Sequence, residues 1–468
     1  MHVSSYETEK ASLLEGVKTG RESLKTAEKA LTEVLRRPQS FIPVGRYAHS
    51  SVLVGDKLYF FGGMNNDLKC LNEVFYLDVS RPFKTAVPPW VDLTQNAEIP
   101  FKSCWATVSL NAKEQIIYLF GGFMDNSTDQ DAFVSSIYTF GFNTLRWNIP
   151  NIRGILPERR RKMKSIIDVN TGKIYIFGGQ AIGATVITLF NDMVILNTVE
   201  SSWLNNPPVN SPSIRTGYTA TLLTSGIIAY IGGMEMVEVN TTRLVDIRQI
   251  YLYDTNSLTW SEKVAKASNM IENRNGHAAV LASNDEILIY GGSNGVDNNK
   301  RVVPDFFALN TKSEQFEFTI PPVTSKIGQV PSLTIHTADL VENYMIVAFG
   351  NITQPNSSPL SLRNPNIYIM DIRNYTWVDS FEVTNVGTKT DPSPKPSSLI
   401  SNLNKELVTM KVVIASIGAI FCVVIIIVCG FLFYRWNAKK KEQSPTVPVI
   451  NIGNHDHDDK EHYLSEVM

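Results

Sequence analysis

KLYFFGG, residues 57–63, is an apolar, aromatic-rich run closed by two glycines, and the chain repeats it. The run returns as IIYLFGG ending at Gly121 and Gly122, KIYIFGG at Gly178 and Gly179, IAYIGG at Gly232 and Gly233, and ILIYGG at Gly291 and Gly292. A degenerate sixth copy, MIVAFGN, places Gly350 and Asn351 at the same point. From first glycine to first glycine the intervals are 59, 57, 54, 59 and 59 residues, which marks a repeat architecture.

The rest of each unit keeps the same order. Upstream lies a short strand: RYAHSSVLV from Arg46, SCWATVSL from Ser103, RTGYTATLL from Arg215 and NGHAAVL from Asn275. Downstream, after a variable loop, a third strand ends at Asp78, Asn197, Asp254 or Asp371. A tryptophan follows at Trp90, Trp147, Trp203, Trp260 or Trp377, and Phe316 or Phe318 takes its place in the fifth unit. Short β-branched and aromatic runs divided by Gly, Asn, Asp and Pro are strand and turn signals. Four strands per unit is the composition of one propeller blade. The second strand, with sheet faces on both sides, reads as an unbroken apolar run, and the glycines permit a positive φ where it ends. The tyrosines before them (Tyr59, Tyr118, Tyr175, Tyr230) and the closing tryptophans are large plates suited to filling the wedge between blades.

This motif set resembles Kelch repeats over roughly Phe41 to Phe381. The resemblance implies an all-β, six-bladed Kelch-type β-propeller over 41–385. Unit three departs from the pattern, with PERRRKMKS where an Arg-x-x-His start is expected. Units five and six lack a Trp and a second Gly respectively. Ring closure falls to the segment around Phe41 and Ile42 or to the one around Phe381.

In a chain of 468 residues, 43% hydrophobic and 19% charged, there is enough apolar material for a large core. A net charge of −2 gives no reason to expect nucleic acid as a partner. Of four cysteines, Cys422 and Cys429 lie in a long apolar run. Cys70 and Cys104 are the remaining pair, able to bridge neighbouring blades in an oxidising compartment but expected to be unpaired.

From Val412 to Tyr434 there are 23 residues without a charge, enough at ~1.5 Å each to cross a ~30 Å bilayer core. Arg435, Lys439, Lys440 and Lys441 follow it, so the positive-inside rule puts the tail, 435–468, in the cytoplasm and the propeller outside. The segment 386–411, with DPSPKPSS, reads as a flexible stalk. Residues 1–40 hold no apolar run of a secretory signal; Leu24, Ala27, Leu31, Val34 and Leu35 instead fall at amphipathic helical spacing. Two accounts stay open: an incorrectly assigned first exon, which the resemblance to fungal single-pass Kelch membrane proteins favours, or a cytosol-facing, membrane-tethered scaffold. Sequons begin at Asn126, Asn240, Asn351, Asn356 and Asn374 and permit an exterior propeller. In the tail, His455 to Asp459 form an acidic, solvated cluster rather than a metal site.

No phosphate loop, Cys-x-x-Cys pair, His-Glu-x-x-His helix or nucleophile elbow is present. An enzyme on a similar scaffold is galactose oxidase, whose copper chemistry makes a carbohydrate-directed oxidase the alternative reading. Here His49, His277 and His336 recur at the start of three units, which reads as a structural signature hydrogen-bonding a neighbouring loop. The run Arg159, Arg160, Arg161, Lys162 and Lys164 reads as a solvated blade-edge loop. The expectation is therefore a non-catalytic, membrane-anchored module with no cofactor. Its unknown protein or glycan partner would meet the loops that follow the double glycines.

Overall fold

The computed structural model describes residues 41–125, 135–181, 188–206, 209–238, 241–295, 300–354 and 362–383. The chain divides into two units, 1–384 and 385–468, and all described residues belong to the first. The expected N-terminal helix, stalk, membrane span and tail lie outside them. Among the described residues no helix is long and apolar enough to cross a membrane.

The fold is all-β and propeller-like. Six antiparallel sheets follow one another along the chain, each a simple four-strand meander. The first runs Ser50–Val54, Lys57–Phe61, Val74–Asp78 and Trp90–Asp92; the third runs Ser165–Asp168, Lys173–Phe177, Met193–Asn197 and Ser202–Asn206. The fifth and sixth sheets each gain a parallel fifth strand, Lys266–Ala267 and Thr324–Ser325, which covers the outer edge.

The first strand of every sheet lies innermost. Ser50–Val54, Thr107–Asn111, Ser165–Asp168, Thr219–Leu222, Ala278–Leu281 and Thr337–Val341 each run beside the next, and the last runs beside the first. Strands that converge on an axis have little room, and each of the six begins with Ser, Thr or Ala. The second strands are buried almost throughout, as Leu58 to Phe61 and Ile174 to Phe177 show. Apolar clusters fill each seam, for example Tyr59, Phe61, Ile117 and Leu119 between the first two sheets. Trp203, Trp260 and Trp377 are buried in these seams, and Trp90 and Trp147 pack against them half-exposed. Each such burial contributes about 2–3 kcal/mol.

The double glycines carry the joints between sheets. The N–H of the second glycine donates to a carbonyl of the next repeat: Gly63 to Ser103, Gly122 to Arg160, Gly179 to Arg215, Gly233 to Arg274 and Gly292 to Leu333. Gly350 completes the series by donating to Arg46 O at 2.8 Å, which joins the sixth sheet to the first. The first glycines sit at φ +56° to +68° with that same carbonyl pressed on them. A Cβ would lie 2.2 Å from Ser103 O at Gly62 and 2.1 Å from Arg160 O at Gly121.

These bonds set the register of the irregular units. Gly350 is the second glycine of its repeat, not the first; Phe349, at φ +57°, occupies the first-glycine place, and Asn351 lies one residue beyond the pair. The Phe349 ring stacks on Trp90 and meets Phe60 edge-on, filling the closing seam. In unit three Arg160 takes the arginine position and Met163 the histidine position. Phe318, paired with Leu309 as Trp377 is with Met370, replaces the fifth tryptophan. Tyr230 lies one residue nearer its glycines than Tyr59, Tyr118 and Tyr175, so it projects from the opposite face of its strand. Both closing segments contribute: Phe41 packs on Phe75, and Phe381 pairs with Phe83 and stacks on it at 5.3 Å.

Gly121→Ala should destabilise the chain by about 3 kcal/mol or more, through backbone clash added to φ strain. Gly55→Ala, at φ +58° with nothing within 4 Å of the added Cβ, should cost only about 1–2 kcal/mol. Urea unfolding of both variants checks the contrast, and equal losses would show that the joint is not a steric constraint.

Candidate functional site at the mouth of the central channel

Each repeat enters its innermost strand through a short segment, and four of the six begin with a fully buried arginine: Arg46, Arg160, Arg215 and Arg274. Three of them reach back to their own double glycine. Arg46, Arg160 and Arg274 donate to the carbonyls of Gly62, Gly178 and Gly291 at 2.9, 3.1 and 2.9 Å. Carboxylates neutralise two, Glu73 for Arg46 and Asp192 for Arg160. Each guanidinium also stacks over a ring: Phe75, Phe190, Tyr251 and Phe307 in turn. Burial lowers the Arg274 pKa to about 10 despite the nearby Asp305 and Glu272. These arginines are structural pins: they tie carbonyls that the glycine turns leave unpaired.

Two residues after each arginine position the backbone turns left-handed in every repeat, at Ala48, Trp105, Lys162, Gly217, Gly276 and Ile335. Five head-to-tail bonds link these residues, at every step except the one from Trp105 to Lys162. Trp105 N–H donates to Ala48 O at 2.7 Å, Gly217 to Lys162, Gly276 to Gly217, Ile335 to Gly276, and Ala48 to Ile335 at 3.2 Å. The bonds draw a collar around the axis, and inside it opens a cavity of about 510 Å³. A second cavity of about 170 Å³ lies along the innermost strands.

His49, His277 and His336 follow the collar and are buried at 6, 3 and 4% exposure. His49 Nε2 meets Thr337 Oγ1 at 3.0 Å, and His277 Nε2 meets Thr219 Oγ1 at 3.2 Å, each on the innermost strand of the preceding sheet. The expected partner is a neighbouring loop; for these two it is instead a hydroxyl on a neighbouring strand. The corresponding place before His336 holds Ala278, which offers no hydroxyl, and both His336 ring nitrogens lack partners among the described residues. Burial pushes the pKa of His277 and His336 down to about 3, the Arg274 charge adding to the effect at His277.

The basic run of unit three is not a solvated edge loop. Arg160 is a buried pin, while Arg161, Lys162 and Lys164 line the cavity at the collar. Spacing alone does not single it out, since the 16 and 17 residues that separate Arg46 and Arg274 from their glycines would fall here on Lys162 and Arg161, and Arg160 lies 18 before Gly178. Lys162 lies over the Trp105 ring at 5.2 Å. Lys164 has accessible surface, but it opens onto the channel, where protein surrounds the amine. Burial there lowers its pKa, and the Asp339 carboxylate opposes the shift. Asp339, held by Ser51 Oγ at 2.6 Å, is itself raised to about 6 by burial.

Cys70 and Cys104, expected to be unpaired, form a disulfide that ties the loop of the first sheet to the lead-in segment of the second. Their Cα atoms lie 5.4 Å apart, within bridging range. Asn351 is buried, with its Oδ1 accepting from Arg363 at 2.8 Å, so that sequon has no room for a glycan. Asn374 is exposed on a turn; Asn126, Asn240 and Asn356 lie outside the described residues. No three His, Cys, Asp or Glu side chains gather as metal ligands among the described residues.

A family model described as the Attractin/LZTR1 β-propeller matches residues 23–302. Acyl-CoA-binding domain-containing protein 4 of Arabidopsis thaliana is 23% identical over 76% of this chain and 48% of its own length. Kelch domain-containing protein 3 of Rattus norvegicus is 24% identical over 54% of this chain and 62% of its own. Kelch repeat-containing protein 2 of Saccharomyces cerevisiae is 23% identical over 59% of this chain and 36% of its own. The chain thus spans about a third to two thirds of these relatives. The solved structure titled "Structure of YjhT" superposes with a TM-score of 0.50 at 13% identity, covering 72% of this chain and 98% of that one.

The buried imidazoles predict acid sensitivity. A lowered folded pKa means that the unfolded chain binds protons the fold refuses. This stability is present above the unfolded value of ~6.5 and is lost as pH falls toward about 3. Asp339 acts the other way, contributing stability below ~4 that is lost as pH rises through about 6. Three lowered imidazoles, His49 shifting in the same direction through burial, outweigh one carboxylate, so stability in urea should drop by at least ~2 kcal/mol from pH 7 to pH 5. Ala278→Thr, by giving His336 a partner, should add about 1 kcal/mol at pH 7. A flat pH profile would mean that the imidazoles are not held neutral.

Proposed function

Because this chain belongs to the Attractin/LZTR1 β-propeller family, a Kelch-type family, we propose that it is a protein-interaction module that presents one loop face of a rigid ring. In this reading each of the six sheets is one blade and the ring has no catalysis of its own. The helix at 412–434 anchors it to a membrane, with the ring outside and the tail cytoplasmic. The observation that carries the reading is the division of labour at the joints. Backbone bonds, buried arginines and the loop residues that meet them, Glu73 and Asp192, hold the ring, which leaves the exposed tips of the loops after the double glycines, Leu68 among them, for a partner. The buried Cys70–Cys104 disulfide favours an oxidising compartment and so an exterior ring.

A photoreactive side chain at Leu68, exposed on the loop after Gly62 and Gly63, should cross-link a partner on intact cells. The same group at Val169, exposed on the turn at the opposite end of the strands, should not. Equal yields from the two positions would count against a single recognition face. For topology, enzymatic deglycosylation should shift the chain on a gel, and Asn374→Gln should remove one increment. An unshifted chain would favour the cytosol-facing scaffold. Stoichiometric copper with oxidase activity on sugars would replace this reading with the oxidase one.

A further inference from the structure

We propose that the cavity inside the collar binds a small organic oxyanion, its charge held by Arg161 and Lys164 with Lys162 beside them, and its body laid against Trp105. The proposal rests on the reading of this end of the ring as the recognition face, and it names a ligand chemistry for it.

The argument begins with charge. Four arginines elsewhere in this fold take a carboxylate close by in sequence: Arg243 has Glu235, Arg248 has Asp246, Arg301 has Asp305 and Arg373 has Asp371. The cavity wall is different. Arg161 and Lys164 line it without an ion pair to any described residue, and no described residue of the lining is acidic. The Arg161 Nε is buried with no acceptor, and burial alone accounts for the lowered pKa of that guanidinium. For Lys164 the nearby acid is Asp339, further down the channel, and the two make no ion pair. Partly desolvated like charges raise the energy of the empty site, and an anion would remove that penalty. A guanidinium and an ammonium on one wall suit an oxyanion, the first as a planar fork and the second as a point charge.

The rest of the wall supplies a seat for an organic body. Trp105 is partly exposed, and the same lining holds the apolar Met236 and the amide of Asn275. At about 510 Å³ the volume falls within the range of small-molecule sites. Solvated cations on a channel rim are the competing account, and it differs in what it predicts for a neutral isostere.

The test is calorimetric titration of the full chain with glucuronate, glucose and inorganic sulfate as probes. Glucuronate should bind, and glucose should bind at least ~10-fold more weakly, since only the former carries the oxyanion. Arg161→Gln combined with Lys164→Met should weaken glucuronate at least ~10-fold without lowering the ligand-free melting temperature, which the removal of like charges should raise if anything. Competition by sulfate would assign recognition to the oxyanion group alone, and its failure would assign it to a carboxylate on an organic body; either supports the site. Equal binding of glucose and glucuronate, no binding of either glucuronate or sulfate at ~10 mM, or unchanged binding by the double variant would overturn the proposal. Cross-linking from Leu68 is read separately, so the recognition face and the anion site can fail independently.

Discussion

One backbone hydrogen bond, made six times, governs this structure. The N–H of the second glycine of a repeat, or of Gly350 in the last, donates to the carbonyl that opens the next repeat. A bond of this kind adds only about 1 kcal/mol net, yet a buried donor left without it would cost more than the bond contributes. Because each sheet meets the next through the same joint, the relation between neighbours repeats. The chain returns to its start when Gly350 reaches Arg46. The absence of side chains at the first glycines follows from the joint: at Gly62, Gly121 and Gly291 the accepting carbonyl lies where a Cβ would be. The buried arginines follow as well, since the sharp turn leaves the first glycine's own carbonyl in need of a donor, and Arg46, Arg160 and Arg274 supply it.

Closure asks more of the last seam than of the others. There the chain joins residues far apart in sequence, and three devices act together. Phe349 replaces a glycine and puts an aromatic ring among Phe60, Phe75 and Trp90. Phe41 packs on Phe75 from the N-terminal side, and the pairing of Phe381 with Phe83 laces the end of the sixth sheet to a loop of the first. None of these is a shared strand. The first and last sheets are each complete meanders within one stretch of chain, so the seam relies on side chains, on the short Ser380–Phe381 ladder with Phe83–Lys84, and on the backbone links Thr85 to Asp379, Gly350 to Arg46 and Ala48 to Ile335.

The parts legible in the sequence are those that one repeat dictates locally. The glycine spacing, the buried second strand and the plate-like tryptophans all follow from constraints felt within a unit or across one seam. What escaped is what depends on a neighbour. Phe349 reads as an ordinary strand residue because the left-handed turn it makes is imposed by the joint. Arg160 is hidden in a basic run because only its contact with Gly178 O separates it from Arg159 and Arg161. Tyr230 shares the tyrosine signature but sits one residue out of register, and strand alternation turns that single step into the opposite face. The pairing of Cys70 with Cys104 joins two sheets, and no spacing within a unit announces it.

The collar explains why the channel mouth is where this fold can vary chemically. Its six positions hold Ala48, Trp105, Lys162, Gly217, Gly276 and Ile335, side chains with nothing in common. Their shared task, the left-handed turn and at five of the six steps the link to the next repeat, belongs to the backbone. A non-glycine residue there costs about 1–2 kcal/mol of φ strain, and the fold bears that cost at four of the six. Strain accepted repeatedly at one ring of positions, where glycine would be free of it, is explained if the side chains matter. Those at Ala48, Trp105, Lys162 and Ile335 all face the same cavity. Repeat three then carries the argument to its end. It replaces the histidine that follows the collar with Met163, keeps Arg160 as the pin, and sets Arg161, Lys162 and Lys164 on the wall. Its departure from the repeat pattern thus leaves the joint intact and changes only the surface that the ring encloses.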